Sequence, residues 1–296
     1  MNPRTAGHLV ILLLVVVAAR ANQRSVSRGT LIVVMPTLNG VIVASDSRSR
    51  IPFGNNILTC DDTRKLFPLK RHRAIVAVTG NAEINAPVSS DLRKCEDVKP
   101  KIKFGELVQK YLDAQSGEIT KNVFESAQKP IIEFFSKAHG NFIIAKPDRV
   151  FVEVVFTEFI PENETIVEAS FGLCLENRHV TPICQSYWET VKQNDQSGFK
   201  VSGDGDCFEL ARTTEGRQMI GPDYLKDVDA LMRDGSLVSG VSHSRALSIV
   251  MDVLQTTEKY SEMSGCASNS VGGPAWAYLI DTAHDHPFLL LPFKPK

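Results

Sequence analysis

Thr30 opens an aliphatic run, Leu31 to Val34, and Asp46 closes the next one, which begins at Gly40. Lys65 heads a third apolar stretch, and Gly80 follows Val78-Thr79. A threonine hydroxyl is a poor nucleophile until a base takes its proton. An α-amine freed on the same residue, with a reference pKa of about 7.7–8.0, is such a base near neutral pH. A nearby ammonium keeps that amine neutral and stabilises developing alkoxide, and a carboxylate holds the ammonium in place. A glycine N–H, with no Cβ to obstruct approach, can meet an oxyanion. Thr30, Lys65, Asp46 and Gly80 match these requirements by type. Each alone has a plainer reading, as a β-former, a strand-edge charge or a turn residue. Taken in this order they point to hydrolysis by a chain's own first residue, with everything before Thr30 removed.

Such a set must be held by rigid strands. Thr30 to Met35, Gly40 to Asp46, Asn56 to Phe67 and Ala74 to Thr79 are rich in Val, Ile and Leu. Turn-prone Pro36, Asn39-Gly40, Pro52 to Asn55 and Lys70 to Arg73 separate them. Phe104, Leu107, Val108, Tyr111 and Leu112 recur with helical spacing. A second helical stretch runs from Val123 to Ala138, with Pro130 as a kink or break. Val150 to Phe156 and Thr165 to Cys174 are strand candidates that pair across Pro161. A segment at Phe199 to Ser202 leads into the turn Gly203 to Asp206. Leu247, Val250, Met251 and Leu254 mark a third helix, capped by Ser242 or Ser244. Ala275 to Ile280 and Phe288 to Leu291 close the chain as strands. This order predicts two stacked sheets with helices outside them. With no internal repeat or low-complexity linker, one domain over 30–296 is expected.

At this point a resemblance can be stated. Gly40 to Arg48 resembles the signature segment of proteasome-type subunits, and Arg64 to Leu69 their lysine stretch. Thr79 to Glu83 is similar to their glycine turn, Gly29-Thr30 to their self-cleaved junction, and Val271 to Pro274 to their glycine-glycine element. The similarity is specific over Gly29 to Glu83 and modest over Ser242 to Ile280. It implies an N-terminal nucleophile hydrolase with a four-layer αββα sandwich, acting on peptide or protein substrate through an acyl-enzyme. It also implies a homo-oligomer or ring assembly. By match, Thr30 is nucleophile and base, Lys65 its electrostatic activator, Asp46 the partner of Lys65, and Gly80 the oxyanion donor.

The chain departs from the pattern. Asp204 stands where the family has a serine supporting the amine, and Ser268 and Val271 where it has an aspartate and a serine. A second register, with a gap after Pro36, leaves Arg28 at the nucleophile's place. Two readings therefore stand: an exported, self-processing threonine peptidase, and a catalytically inactive structural or assembly subunit that keeps its leader.

The chain of 296 residues carries a formal net charge of −1, which gives nucleic acid or acidic lipid no electrostatic purchase. Arg4 precedes an apolar run, Leu9 to Ala19, too short to span a bilayer comfortably. Ala19-Arg20-Ala21 is a signal-peptidase pattern. Residues 1–21 read as a signal peptide and 22–29 as a leader. Export without membrane retention follows, or a cytoplasmic protein if the start codon is misassigned. Six cysteines lack metal-ligand spacing. Cys174 and Cys184 are close enough to bridge a loop, with buried free thiols as the alternative. No cofactor or metal is expected: His284-Asp285-His286 reads as a turn before Pro287, and Asp204 to Asp206 lacks the other ligands of a calcium loop. Asn163 begins a glycosylation sequon, and Tyr187 and Trp188 read as packing residues.

Overall fold

The computed structural model describes residues 30–53, 56–80, 83–85, 94–97, 100–137, 150–176, 179–180, 182–193, 199–234, 241–266 and 271–292. Thr30 leads into β1 (Leu31–Thr37), which returns through a two-residue turn as β2 (Gly40–Ser45). There follow β3 (Ser49–Phe53), β4 (Asn56–Cys60), β5 (Leu66–Pro68), β6 (Ala74–Gly80), β7 (Glu83–Asn85) and β8 (Pro100–Lys103). Helices α1 (Phe104–Asp113), α2 (Lys121–Ser126) and α3 (Lys129–Lys137) come next. The long hairpin β9 (Val150–Ile160) and β10 (Thr165–Glu176) precedes β11 (His179–Val180), β12 (Gln185–Lys192) and β13 (Lys200–Gly203). The chain continues through α4 (Gly205–Ala211), α5 (Thr214–Ile220), α6 (Lys226–Asp234) and α7 (His243–Ser264) to β14 (Trp276–Asp281) and β15 (Phe288–Pro292).

One antiparallel sheet has five strands in the order β13-β1-β2-β14-β15. Another has six, in the order β11-β10-β9-β6-β5, with β12 also on β10. Strands β1, β2 and β6 read as unbroken apolar runs because both of their faces are covered. Leu31, Val33 and Met35 of β1, with Ile42 and Ala44 of β2, pack with Phe208, Ile249, Val250 and Val253 of α4 and α7. The alternate residues Ile32, Val34, Val41 and Val43 pack instead with Ile75 and Ala77 of β6 and with Val155 and Phe159 of β9. The other face of β6 and β9 receives Phe104, Val108 and Leu112 of α1 and Phe124 of α2. Gly105 of α1 lies so close to β5 that a Cβ there would fall 2.0 Å from the Phe67 ring.

The expected four-layer αββα sandwich is corrected by this arrangement. Besides the two large sheets, β3-β4 and β7-β8 each form a separate two-stranded ribbon. The result is a mixed assembly of antiparallel sheets and helices, not a clear sandwich. The single strand expected over Asn56 to Phe67 is also corrected. It divides into β4 and β5 at Asp61-Asp62, where the chain turns away from the β3 hairpin. The break expected at Pro130 separates α2 from α3, with the proline in the first turn of α3, where its missing N–H costs no helical bond. Ser242 does cap α7, its side chain accepting from the Arg245 N–H at 3.3 Å. Strand β12 and helices α4, α5 and α6 were not anticipated.

The cysteine alternatives resolve toward pairing: Cys60–Cys95, Cys174–Cys184 and Cys207–Cys266 are disulfides. Paired cysteines are consistent with an exported protein. Among the described residues no helix is long and apolar enough to cross a membrane. Residues 1–29, with the expected signal peptide, leader and Arg28, lie outside the described residues, as does Ser268.

Candidate active site

Asp46 follows β2 directly, and the β1–β2 hairpin sets it opposite Leu31, whose carbonyl accepts the Asp46 N–H at 3.3 Å. Its carboxylate gathers three donors. Oδ1 accepts the Leu31 N–H at 2.8 Å, while Oδ2 accepts Lys65 Nζ at 2.9 Å and the Gly272 N–H at 3.1 Å. Lys65 reaches it from just before β5, its backbone carbonyl fixed by the Val78 N–H of β6 at 3.1 Å. Both side chains are sealed from water, at 1% and 3% exposure. Burial pushes the Lys65 ammonium below its ordinary value, against the opposing charges of Asp46, Asp204 and Asp61. Burial pushes Asp46 up, against Lys65 and the Leu31 and Gly272 N–H groups. Ion pairs this deep seldom add stability over apolar packing, so a strongly perturbed one is a functional-site candidate.

Thr30 is itself buried and is clamped through its backbone. Its N–H donates to Asp204 Oδ2 at 3.1 Å, and its carbonyl accepts the Asp204 N–H at 2.8 Å. The clamp depends on Gly203, which pairs with Leu31 across β1–β13. Gly203 has φ +80°, and a Cβ there would lie 2.0 Å from the Thr30 carbonyl oxygen. Only glycine allows that approach.

Gly80 is placed less directly. It ends β6 at φ +77°, and a Cβ there would sit 2.9 Å from the Phe151 carbonyl oxygen. Its neighbour Thr79 brings a methyl within 3.5 Å of where the Gly203 Cβ would stand, so the end of β6 borders the Thr30 clamp. Thr79 Oγ1 donates to Glu153 on β9 at 3.2 Å. Burial pushes the Glu153 carboxyl up, with hydrogen bonds from Thr79 and Ser170 opposing.

Arg48 supports the site in a way that sequence reading missed. Its guanidinium grips Asp61 at 2.8 and 3.2 Å and donates to the Val271 carbonyl at 3.2 Å. Ser47 and Arg48 N–H groups both donate to the Gly272 carbonyl. The Gly273 N–H donates to Glu258 of α7 at 3.1 Å. The turn that offers its N–H to Asp46 is thus held from the segment after β2 and from α7. Val271 has its side chain in the core and contributes through its carbonyl. The only advance signal for Arg48 was its place beside Asp46 and Ser47.

Other candidates fall away from this cluster. His284 Nδ1 lies 2.7 Å from Asp281 Oδ1, a contact within the β14–β15 turn. Among the described residues no His, Cys, Asp and Glu side chains group as a metal site. Trp188 packs on Phe124 and Phe156.

No family model matches the sequence, and no curated protein matches it. Among solved structures, the chain is similar to an Anbu (Gly-1) mutant from Hyphomicrobium sp. strain MC1. That match has 12% identity and a TM-score of 0.43, and covers 89% of this chain and 86% of that one. A likeness at that level carries no argument about ancestry or activity. These comparisons correct the resemblance to proteasome-type subunits: the short segments that suggested it do not extend to a family match. What the site does must be argued from its own geometry.

Proposed function

We propose that the chain is an amide-bond hydrolase that cuts itself at Gly29–Thr30 and then hydrolyses peptide bonds through an acyl-enzyme on Thr30. The observation that carries this reading is the buried Lys65–Asp46 pair, whose carboxylate also holds the backbone N–H next to Thr30. In this scheme the freed α-amine takes the Thr30 hydroxyl proton, and the oxygen attacks the substrate carbonyl. Lys65 stabilises the developing negative charge, and Asp46 keeps Lys65 in place. The N–H groups at the end of β6, Gly80 foremost, receive the oxyanion. The amine then passes its proton to the leaving nitrogen, and water hydrolyses the ester. The disulfides support export, with residues 1–21 as signal peptide, 22–29 as leader and 30–296 as the mature chain.

The inactive reading has one observation in its favour, since the Thr30 N–H, as an amide, already donates to Asp204 Oδ2. Intact-mass measurement of the purified protein separates the two. The expected mass corresponds to a chain starting at Thr30, and Thr30→Ala keeps its leader and cleaves no peptide. If Thr30→Ala hydrolyses peptides at the wild-type rate, the proposed nucleophile is wrong.

A further inference from the structure

Helices α5 and α6 each give one face to the core. Ile220, Leu225, Val228 and Leu231 are buried there with Leu31 and Val33 of β1. Away from that core, α5 carries Thr214, Arg217 and Gln218, at i, i+3 and i+4. Helix α6 carries Lys226, Asp229 and Arg233, at i, i+3 and i+7. These two polar rows line a cleft of about 640 Å³, which the connecting loop also lines through Gly221, Pro222 and Tyr224. Small-molecule sites occupy about 300–1,000 Å³. Gly221 has φ +91°, and a Cβ built on it would meet no atom within 4 Å, so the space beside the loop is empty.

The lining holds three cations and one carboxylate, an excess of two positive charges. That carboxylate is already engaged. Arg217 grips both Asp229 oxygens, at 2.6 and 2.7 Å, and turns its Nε to the Arg212 carbonyl at 3.1 Å. The Arg217 bonds hold the Asp229 carboxyl below its ordinary value, and the charges of Arg217, Arg233 and Arg212 act in the same direction. Asp229 is thus a brace for Arg217. Lys226 is bonded at 2.8 Å to Asp223, which lies outside the lining; exposed pairs of this sort are weak. Of the other acids on these helices, Asp227 is engaged by Ser248 and Arg245, and Glu215 is not part of the lining. Arg233 differs: among the described residues its guanidinium has no hydrogen bond or ion pair. The side chains of Thr214, Gln218 and Tyr224 likewise make no hydrogen bond among the described residues.

A guanidinium presents its donors in a fixed fork that fits the oxygens of a phosphate or carboxylate. Two surplus charges match a phosphate monoester, at about −1.5 to −2 near pH 7, better than a single carboxylate. The neutral hydroxyls and amide beside Arg233 suit a hydroxylated body. We propose that the cleft between α5 and α6 binds a small phosphate monoester of the sugar phosphate class. Arg233 takes the phosphate with Lys226 beside it, and Thr214, Gln218 and Tyr224 meet the hydroxyls. No lining residue belongs to the candidate active site, so this inference stands apart from the hydrolase reading.

Calorimetric titration of the purified protein at fixed ionic strength tests it, with glucose 6-phosphate, inorganic phosphate and glucose as probes. The monoester is expected to bind saturably, inorganic phosphate more weakly, and glucose not at all. Absence of saturable monoester binding overturns the site, as does glucose binding as well as its phosphate. Inorganic phosphate that binds as tightly as the ester overturns the monoester assignment. Arg233→Gln should weaken monoester binding by about tenfold or more, because it removes a charged donor. Arg233 is exposed and has no partner among the described residues, so the variant is expected to fold. Lys121→Gln, the same change of charge on α2, should bind as wild type does. Equal loss in both variants would mean a general attraction to surface charge, and unchanged binding in Arg233→Gln would mean that the guanidinium takes no part. Either result overturns the proposal. Intact mass and peptide hydrolysis, read on the same wild-type sample, decide the hydrolase reading separately.

Discussion

Lys65 is among the largest fully buried side chains of the described residues, and the carboxylate it is bonded to also accepts two backbone N–H groups. Truncating it leaves Asp46 charged and dry. Lys65→Ala is expected to cost about 3–5 kcal/mol, read as a lower denaturant midpoint. Lys65→Met combined with Asp46→Asn removes both charges at similar volume and should regain most of that loss, because paired neutralisation avoids an orphan charge. Neither protein should release its leader. Recovery of processing in the double variant would separate Lys65 from the chemistry. Thr30, Asp46 and Lys65 were picked from the sequence by residue type and order at the ends of aliphatic runs, and the structure brings Asp46 to Lys65 and to the N–H beside Thr30. The grip of Arg48 on the Val271–Gly273 turn was not legible, since it joins residues that no local pattern connects.

Strands with both faces covered announced themselves as continuous apolar runs, and α1 by its stripe of Phe104, Val108 and Leu112. The short helices α4, α5 and α6 did not. Gly205 begins α4 and Gly216 lies inside α5, and glycine weakens helix propensity. Strand β12 is mostly exposed along its length, so it lacks the apolar signal of a buried strand. Strand β9 was readable up to Phe156, but beyond that point it carries a buried acid. Glu158 is pushed up to about 7, first by burial and then by the charge of Glu118. The folded protein holds this proton between pH 4.5 and about 7, where the unfolded chain releases it. Stability is therefore full below pH 4.5 and declines as pH rises through 7. Glu158→Gln is expected to match wild type near pH 4 and to exceed it above pH 7, by on the order of 3 kcal/mol. Thermal unfolding at the two pH values checks this, and equal shifts at both would refute it.

Across the molecule, two of the disulfides flank the candidate site. Cys60 adjoins Asp61, the anchor of Arg48, and Cys207 lies in the first turn of α4, its N–H on the Asp204 carbonyl. The Cys207–Cys266 link closes a separation of 59 residues. Replacing both cysteines by alanine should lower stability by about 4 kcal/mol in the chain-entropy account. Reduction of wild type opens all three links and should cost more than this, with the double variant losing less than wild type when reduced. An unchanged unfolding midpoint would mean that the link adds nothing. The close seating of Gly105 on Phe67 has its own consequence. Lys65 stands two positions upstream of that ring, so the helix on the far side of the sheet has no slack toward the cation. A single methyl group at this buried position would have to push the Phe67 ring, so the packing of α1 is tied to the segment that carries Lys65 and its bond to Asp46.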